Sequence, residues 1–131
     1  MRLLGCLLLL FLTGHAWGQD TAFGGELAVR CQRGNGGACS DLGNMYFLGI
    51  DVRQDKFKAV QFYTKACELR DGFGCASLGQ MYERGEGVKQ DKFKAVELYT
   101  KACELRDGMG CTNLGFAYDE GKGVRQDKFK A

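Results

Sequence analysis

The sequence predicts an all-α fold, a superhelix of helical hairpins that are each closed by a disulfide. A 36-residue period is the first observation, because residues 59–94 and 95–130 are identical at 25 of 36 positions. Apolar residues within each period are spaced three and four apart, as on one face of an α-helix. Cysteines recur in pairs eight residues apart. Self-similarity at such a period is typical of solenoid proteins.

The first 18 residues are predicted to be a cleaved secretory signal peptide rather than part of the fold. A short basic start precedes the apolar run at 3–12, which is too short to span a bilayer. Ala16 and Gly18 provide small residues for cleavage before Gln19. Lipoprotein cleavage at Cys6 is the alternative, but it would leave almost no apolar segment before the cysteine. We therefore expect a secreted or periplasmic protein.

Removal of the signal peptide leaves a nearly neutral chain that lacks histidine and tryptophan. Seventeen basic residues then face 16 acidic ones, and the sequence shows no basic run. Such a surface is a poor electrostatic partner for nucleic acid or for an anionic membrane, so neither partner is expected. Six cysteines remain, an even number, which in an exported protein indicates a disulfide framework.

Each repeat is predicted to fold as two helices joined by a tight turn. Over residues 91–106 the apolar positions form one helical face, and the Asp91 carboxylate can cap the first turn. Gly108 is expected to end this helix in a left-handed turn. A second helix is predicted at about 110–120, where Gly115 would permit close approach of a neighbouring helix.

Aromatic residues recur with the same period and are expected to form the core shared by neighbouring repeats. Recurrence on one helical face indicates packing rather than a cofactor site, and no cofactor is expected. The positions are Phe57, Phe93 and Phe129 in one series and Tyr46, Tyr82 and Tyr118 in the other.

The six mature cysteines are expected to form disulfides within hairpins. In each full repeat, one cysteine lies in the last turn of a helix and its partner lies in the first turn of the next. Side chains beside such a turn can reach the short Cβ–Cβ distance that a disulfide requires. A zinc site is the alternative, but the cysteine spacing is too wide and no histidine remains, so no metal is expected. The expected bridges are Cys31–Cys39, Cys67–Cys75 and Cys103–Cys111.

The repeat resembles known helical-repeat families. Residues 78–82 read Leu-Gly-x-x-Tyr and residues 95–99 read Ala-x-x-x-Tyr, which is similar to the tetratricopeptide signature. A longer loop at 85–88 and the 36-residue period make the chain similar to Sel1-like repeats. Ala-Cys-Glu-Leu at 102–105 followed by Asp-Gly-x-Gly-Cys at 107–111 resembles the Helicobacter cysteine-rich protein family. The resemblance implies a right-handed α–α superhelix, and a penicillin-binding protein with slow β-lactamase activity.

The period divides the mature chain into a degenerate start, two full units and an incomplete one. Residues 19–37 are expected to form a degenerate N-terminal cap helix, because glycines crowd this segment. Sel1-like units are predicted at 38–73 and 74–109, and an incomplete unit at 110–131. The last unit opens a helix at 127–131 that is only one turn long. Fraying, or self-association through an uncapped C-terminal face, is therefore expected.

The tetratricopeptide resemblance implies a concave groove lined by the second helix of each hairpin. The groove positions lie two residues before the leucine of Leu-Gly-x-x-Tyr and two and five residues after it. They vary between repeats while the framework does not, as a binding scaffold would show. They are Ser40, Asn44 and Phe47, then Ala76, Gln80 and Glu83, then Thr112, Phe116 and Asp119.

The residue chemistry favours binding over catalysis. The mature chain has no histidine for a Ser-His-Asp or Cys-His site, and neither Ser40 nor Ser77 begins a Ser-x-x-Lys motif. The first hypothesis is a groove that binds a peptide, a peptidoglycan-derived ligand or a β-lactam. The alternative is a weak β-lactamase, which the family resemblance alone implies and for which the sequence offers no nucleophile.

Overall fold

A computed structural model describes residues 22–121 and 123 of the chain. Six α-helices form this part of the molecule, and none of its residues lies in a strand. Each helix packs on its neighbours in the chain, and α4 also contacts α2 and α6. The predicted all-α superhelix of hairpins is therefore confirmed. The helices are α1 (Ala22–Gln32), α2 (Gly36–Leu48), α3 (Lys56–Glu68), α4 (Gly72–Arg84), α5 (Lys92–Glu104) and α6 (Gly108–Glu120).

The two ends of the chain carry predictions that lie outside the described residues. These are the signal peptide at 1–18, its cleavage before Gln19, and the short helix at 127–131. The described part of the segment predicted as an N-terminal cap is helix α1, whose Leu27 and Cys31 side chains are buried in a cluster with α2. Within the described residues, no helix combines the length and apolarity that a membrane span requires.

Each of the helices α2 to α6 is preceded by a residue whose side chain caps it. The first N–H groups of a helix have no partner within the helix, so an oxygen placed at the cap satisfies one of them. Asp91 accepts a bond from the backbone nitrogen of Lys94 at 3.0 Å, as the sequence predicted. The five caps are Asn35, Asp55, Asp71, Asp91 and Asp107.

The turn inside each hairpin differs from the prediction. The left-handed residue before α6 is Arg106, with a φ of 67°, and Gly108 is instead the first residue of α6. Arg70 has the same conformation in the preceding hairpin, with a φ of 66°. The prediction was wrong because it gave the left-handed position to glycine, the residue type that adopts it most easily. The second helix therefore begins at 108 rather than at 110.

Replacement of Arg106 by glycine is expected to stabilise the oxidised chain by up to about 1 kcal/mol. A left-handed residue with a Cβ costs about 1–2 kcal/mol, and the greater freedom of glycine in the unfolded chain offsets roughly half of this. Urea unfolding measures the change. Glu104→Gly lies in the last turn of α5, where the backbone is helical, and should destabilise by about 1 kcal/mol. A loss of stability in Arg106→Gly would contradict the left-handed conformation of Arg106.

Close helix approach through glycine occurs in two of the three repeats. A Cβ at Gly43 would lie 2.5 Å from the Tyr63 ring, and a Cβ at Gly79 would lie 2.7 Å from the Tyr99 ring. Within the described part of the chain, a Cβ at Gly115 would meet no atom within 4 Å. The close approach predicted at Gly115 is therefore not found among the described residues, although the two equivalent glycines show it.

The recurring phenylalanines do not form the shared core that the sequence predicted. Phe57 is 72% exposed and Phe93 is 70% exposed, while Phe129 lies outside the described residues. Both lie in the first turn of a helix, at the edge of the stack of hairpins. A repeat period alone cannot distinguish a position that is buried in every unit from one that is exposed in every unit. In the tyrosine series, the ring of half-buried Tyr46 stacks on Phe62 with centroids 5.6 Å apart.

The three predicted disulfides are all present, each within one hairpin, with Cα–Cα distances of 4.7, 4.5 and 4.5 Å in chain order. The cysteines of the first two bridges are buried and belong to the hydrophobic core. In the third bridge, Cys103 is half-buried and Cys111 is exposed. The bridges are Cys31–Cys39, Cys67–Cys75 and Cys103–Cys111.

Candidate ligand-binding groove

The second helices of the hairpins, α2, α4 and α6, lie in a row because α4 contacts both of the others. Two neighbouring clefts open along this row. The first cleft holds about 220 Å³ and is lined mainly by α2 and α4. The second cleft holds about 170 Å³ and is lined by α4, α5 and α6. Gln80 and Arg84 line both clefts, so they form the wall that the clefts share.

Five of the nine groove residues predicted from the sequence line these clefts. Asn44 and Phe47 line the first cleft, Glu83 and Phe116 line the second, and Gln80 lines both. The row of second helices thus brings together side chains from three repeats.

The other four predicted groove residues line neither of the two clefts. Ser40 and Ala76 are buried, so their side chains support the groove from behind rather than face a ligand. The Ser40 hydroxyl donates a hydrogen bond to the Asp71 carboxylate, which also caps α4. Thr112 and Asp119 are exposed beyond the second cleft.

The groove positions predicted from the sequence leave out several cleft residues. A comparison of the α4 and α6 sequences, position by position, could have found them. Six α4 residues line the clefts, and each of them differs from the residue at the same place in α6. The six α4 positions that are identical in α6 line neither cleft. Variation along the whole helix, rather than at three fixed positions, therefore marks the groove. The differing cleft positions are Phe73/Met109, Ser77/Asn113, Gln80/Phe116, Met81/Ala117, Glu83/Asp119 and Arg84/Glu120; a seventh pair, Ala76/Thr112, also differs, but Ala76 is buried and lines neither cleft.

Two buried tyrosines hold groove residues in place from behind. The Tyr63 hydroxyl donates to the Asn44 Oδ1 at 2.6 Å, and the Tyr99 hydroxyl donates to the Glu83 carboxylate. Burial raises the pKa of Tyr63 to about 12. Burial, together with the Glu83 carboxylate, also raises the pKa of Tyr99. Both hydroxyls are therefore neutral donors at physiological pH and orient their acceptors.

Charged side chains cluster at the rim of the two clefts. Lys56 Nζ lies 2.6 Å from the Glu86 carboxylate, and this bond holds the pKa of Glu86 below its usual value. Arg84 reaches the same carboxylate at 3.8 Å, and its side chain is 58% exposed. Lys92 lines the second cleft and forms no ion pair with the described residues.

Sel1 repeat models match residues 36–71, 73–107 and 108–131, which together cover more than half of the chain. This chain belongs to the Sel1-repeat family. The matches begin at the first residue of α2, one residue into α4, and at the first residue of α6. No curated protein matches the sequence.

Solved Sel1-repeat structures share the fold of this Sel1-repeat chain. A protective antigen of uropathogenic Escherichia coli with an SLR fold is 36% identical, with a TM-score of 0.74 over 77% of this chain and 22% of its own. The Sel1 repeat protein of Oxalobacter formigenes is 29% identical, with a TM-score of 0.70 over 72% and 39%. The Helicobacter pylori cysteine-rich protein B is 38% identical, with a TM-score of 0.62 over 82% and 81%. The predicted resemblance is confirmed, and the chain spans only about a fifth of the E. coli antigen.

The Sel1-repeat groove offers little catalytic chemistry within its described residues. Ser77 lines the first cleft but is buried, and Ser40 is buried against Asp71. The raised pKa of Tyr63 makes its phenol a weaker nucleophile than an exposed tyrosine. No group of three or more His, Cys, Asp or Glu side chains in the described residues is arranged to hold a metal ion.

Tyr63→Phe is expected to reduce the loss of stability at alkaline pH. The folded pKa of about 12 exceeds the ordinary value of 10.0, so the folded state holds the phenol proton more tightly than the unfolded state. The stability gained in this way is complete below pH 10 and disappears as the pH rises through about 12. The variant also loses the bond to Asn44, about 1 kcal/mol at neutral pH. Urea unfolding at neutral pH measures the loss of the bond, and unfolding at alkaline pH measures the effect of the pKa. A loss of stability at alkaline pH that is unchanged in the variant would contradict the raised pKa of Tyr63.

Proposed function

We propose that this chain is a non-catalytic binding module whose groove holds a peptide or a cell-wall-derived ligand. One observation carries the proposal: the α4 residues that line the clefts all differ from their α6 counterparts, while identical residues form the framework. Repeat scaffolds keep packing positions constant and vary the residues on their binding surface. A purely structural repeat would have no reason to concentrate its differences on the residues that line the two clefts.

Secretion or export to the periplasm is part of this proposal. Three disulfides are in keeping with an oxidising compartment, and they would keep short hairpins intact there. The sequence-based signal peptide remains a prediction. In such a location, peptides and peptidoglycan fragments are available as ligands, and the near-neutral chain suits neutral or zwitterionic partners better than nucleic acid.

Groove binding can be tested with two phenylalanines as a matched pair. Phe73 lines the first cleft, whereas Phe57 is exposed in the first turn of α3 and lines neither cleft. Phe73→Ala should weaken binding at least about tenfold, because a few large side chains that become buried on binding usually carry most of the binding energy. Phe57→Ala should leave it unchanged. Isothermal titration with random heptapeptide pools, muropeptides and benzylpenicillin would measure both variants.

Binding that is equally affected by the two phenylalanine variants would contradict the groove proposal. Absence of binding to every probe would do the same. Sedimentation velocity on the free chain separates ligand binding from self-association through the C-terminal face.

The weak β-lactamase activity that the family resemblance implies is the competing function. Among the described residues, its support within the groove is limited to three hydroxyls, those of Tyr63 and Ser77 in the first cleft and of Tyr99 in the second. Tyr63 donates to the amide of Asn44, and the one hydroxyl that these contacts place on a carboxylate is that of buried Tyr99, which donates to Glu83. Nitrocefin turnover by the oxidised chain tests it directly. Turnover abolished by Ser77→Ala but not by Ser40→Ala would replace the binding proposal with a catalytic one.

A further inference from the structure

We infer that this chain docks on an anionic lipid bilayer through one edge of its stack of hairpins. We call this surface the loop edge and define it as residues 49–58 and 85–94, each a loop with the first turn of the next helix. Its two phenylalanines line neither cleft of the proposed groove, so the inference is independent of the proposed function. Exposed phenylalanines, an excess of positive charge and repetition of the same side chains support it.

The two segments of the loop edge meet at the end of α4. The backbone nitrogen of Asp91 donates to the Tyr82 carbonyl at 2.8 Å, which places the start of α5 beside the last turn of α4. A Cβ at Gly87 would lie 2.4 Å from the Lys56 carbonyl oxygen, which places the start of α3 against the loop that follows α4. The starts of α3 and α5 therefore share one edge of the stack.

Each segment projects a phenylalanine that the fold does not bury. Phe57 is 72% exposed and Phe93 is 70% exposed, the highest values for any large apolar side chain among the described residues. Two such side chains on one edge cost free energy in water, and transfer into an apolar phase recovers it. Because the rings project instead of lining a cleft, they fit a partner that yields around them, as the acyl chains of a bilayer do.

Positive charge on the loop edge exceeds negative charge. Six basic residues face four acidic ones there, whereas seven basic residues face ten acidic ones over the other described residues. Arg53, Lys89 and Lys92 form no ion pair with a described residue. Anionic headgroups complement this distribution, which the near-neutral net charge of the whole chain conceals. The expectation that no anionic membrane is a partner rested on that net charge alone.

The four carboxylates of the loop edge reduce the positive excess without removing it. Asp55 and Asp91 accept bonds from backbone N–H groups as the caps of α3 and α5. Glu86 is paired with Lys56 at 2.6 Å. The fourth carboxylate is that of Asp51, in the loop before α3. Basic residues still outnumber these four by two, so the edge as a whole attracts anionic headgroups.

Lysines on both sides of each phenylalanine match the layers of a bilayer surface. Lys56 and Lys58 flank Phe57, and residues 92–94 repeat this order. A lysine carries its charge at the end of a flexible apolar stem. Its ammonium group can therefore stay among the headgroups while the neighbouring ring enters the boundary of the acyl region, as in proteins that lie on a membrane surface.

The loop edge presents the same side chains in each repeat. Val-x-Gln-Asp-Lys-Phe-Lys recurs at 52–58, 88–94 and 124–130, and its variable position is always arginine or lysine. The third copy lies outside the described residues. A bilayer offers an identical surface to every repeat, whereas a folded protein offers a different one at each position. A soluble polyanion is also repetitive, but it gives the phenylalanine rings no apolar phase to enter.

Co-sedimentation with vesicles tests the docking. The oxidised chain from residue 19 onward is used, because it retains all six described helices and lacks the apolar run at 3–12. It should bind vesicles of phosphatidylglycerol and phosphatidylcholine about tenfold more tightly than vesicles of phosphatidylcholine alone. Phe57→Ala and Phe93→Ala should each weaken binding about fivefold. Leu69→Ala is the control, because Leu69 is 37% exposed but follows the last turn of α3, at the opposite end of that helix.

Two double variants form the matched pair for the charge. Arg53→Gln with Lys89→Gln removes two positive charges from the loop edge, and should weaken binding about tenfold at low salt. Lys65→Gln with Lys101→Gln removes the same charge from the last turns of α3 and α5, and should change binding little. Addition of salt should reduce the difference, since exposed charges are screened.

Tryptophan fluorescence shows whether the phenylalanine positions enter the bilayer. The chain from residue 19 onward contains no tryptophan, so Phe93→Trp introduces a single probe. Its emission should shift to the blue on vesicle binding and should be quenched by brominated lipid. Leu69→Trp should show neither change. Circular dichroism of each variant checks that the helices remain intact.

Several results would overturn the inference. These are no vesicle binding, equal binding to pure phosphatidylcholine, equal effects of the two charge pairs, or an unshifted spectrum of Phe93→Trp. Binding to dextran sulfate that matches vesicle binding and is insensitive to Phe57→Ala would assign the edge to a soluble polyanion instead. Groove binding is tested separately in solution by Phe73→Ala, so its failure and the failure of membrane docking are distinguishable.

Discussion

Gly79→Ala is expected to destabilise the chain by about 2 kcal/mol, whereas Gly115→Ala should be neutral or stabilise it by up to about 1 kcal/mol. At Gly79 the added Cβ would lie 2.7 Å from the Tyr99 ring and 3.3 Å from the backbone oxygen of Ala95. The Tyr99 ring is fully buried and anchored by its bond to Glu83, so it cannot move aside without displacing a groove residue. No described atom lies within 4 Å of a Cβ at Gly115.

The two glycines occupy the same position of the repeat, so each variant controls for the other. Both changes give the same gain in helix propensity, about 1 kcal/mol, and only the packing strain differs. Guanidinium unfolding of the oxidised variants, followed by circular dichroism, measures the difference. Equal effects at both positions would show that α4 and α5 do not approach as closely as the structure places them. Gly79→Ala should also weaken ligand binding, because Tyr99 positions Glu83 in the second cleft.

Local signals allowed most of the fold to be predicted from the sequence. Helix spacing, aspartate caps and cysteine spacing each depend on a few neighbouring residues, and all three predictions are confirmed. The left-handed residue could not be predicted in the same way, because in the segment Arg-Asp-Gly at 106–108 either the arginine or the glycine could adopt the left-handed conformation that reverses the chain. The aspartate cap decided between them: it fixes the helix start at Gly108, so Arg106 must make the reversal.

The groove was only partly predictable, because its residues come from different repeats. A register borrowed from tetratricopeptides located Asn44 and Gln80 in the clefts but also selected Ser40 and Ala76, which are buried. Burial depends on how tightly neighbouring hairpins pack, and no single repeat contains this information. Lys92 was missed for the same reason, since it lies on the first helix of a hairpin and reaches the second cleft only after stacking.

Removal of Cys67–Cys75 by paired alanine substitutions is expected to cost about 4 kcal/mol, the largest loss among the substitutions considered. Its loop spans eight residues, as does the loop of Cys103–Cys111. Closing a loop of this length constrains the unfolded chain by about 2.5 kcal/mol in the loop-entropy model. Cys67 and Cys75 are also buried in the core that joins α3, α4 and α5. Loss of their sulfur atoms therefore adds roughly 1–2 kcal/mol of lost burial and cavity formation.

Removal of Cys103–Cys111 should cost only the entropic part, about 2.5 kcal/mol, because Cys111 is exposed and Cys103 is half-buried.

The same difference in burial predicts the order in which the two disulfides are reduced. With increasing dithiothreitol, Cys103 and Cys111 should be alkylated first, since thiolate attack requires access to a sulfur atom. Peptide mass mapping after each step identifies the reduced pair, and urea unfolding of the two double variants gives the free energies. Equal losses in the two variants would mean that core packing around Cys75 contributes nothing. The stability of the hairpins would then rest on loop closure alone, in every repeat alike.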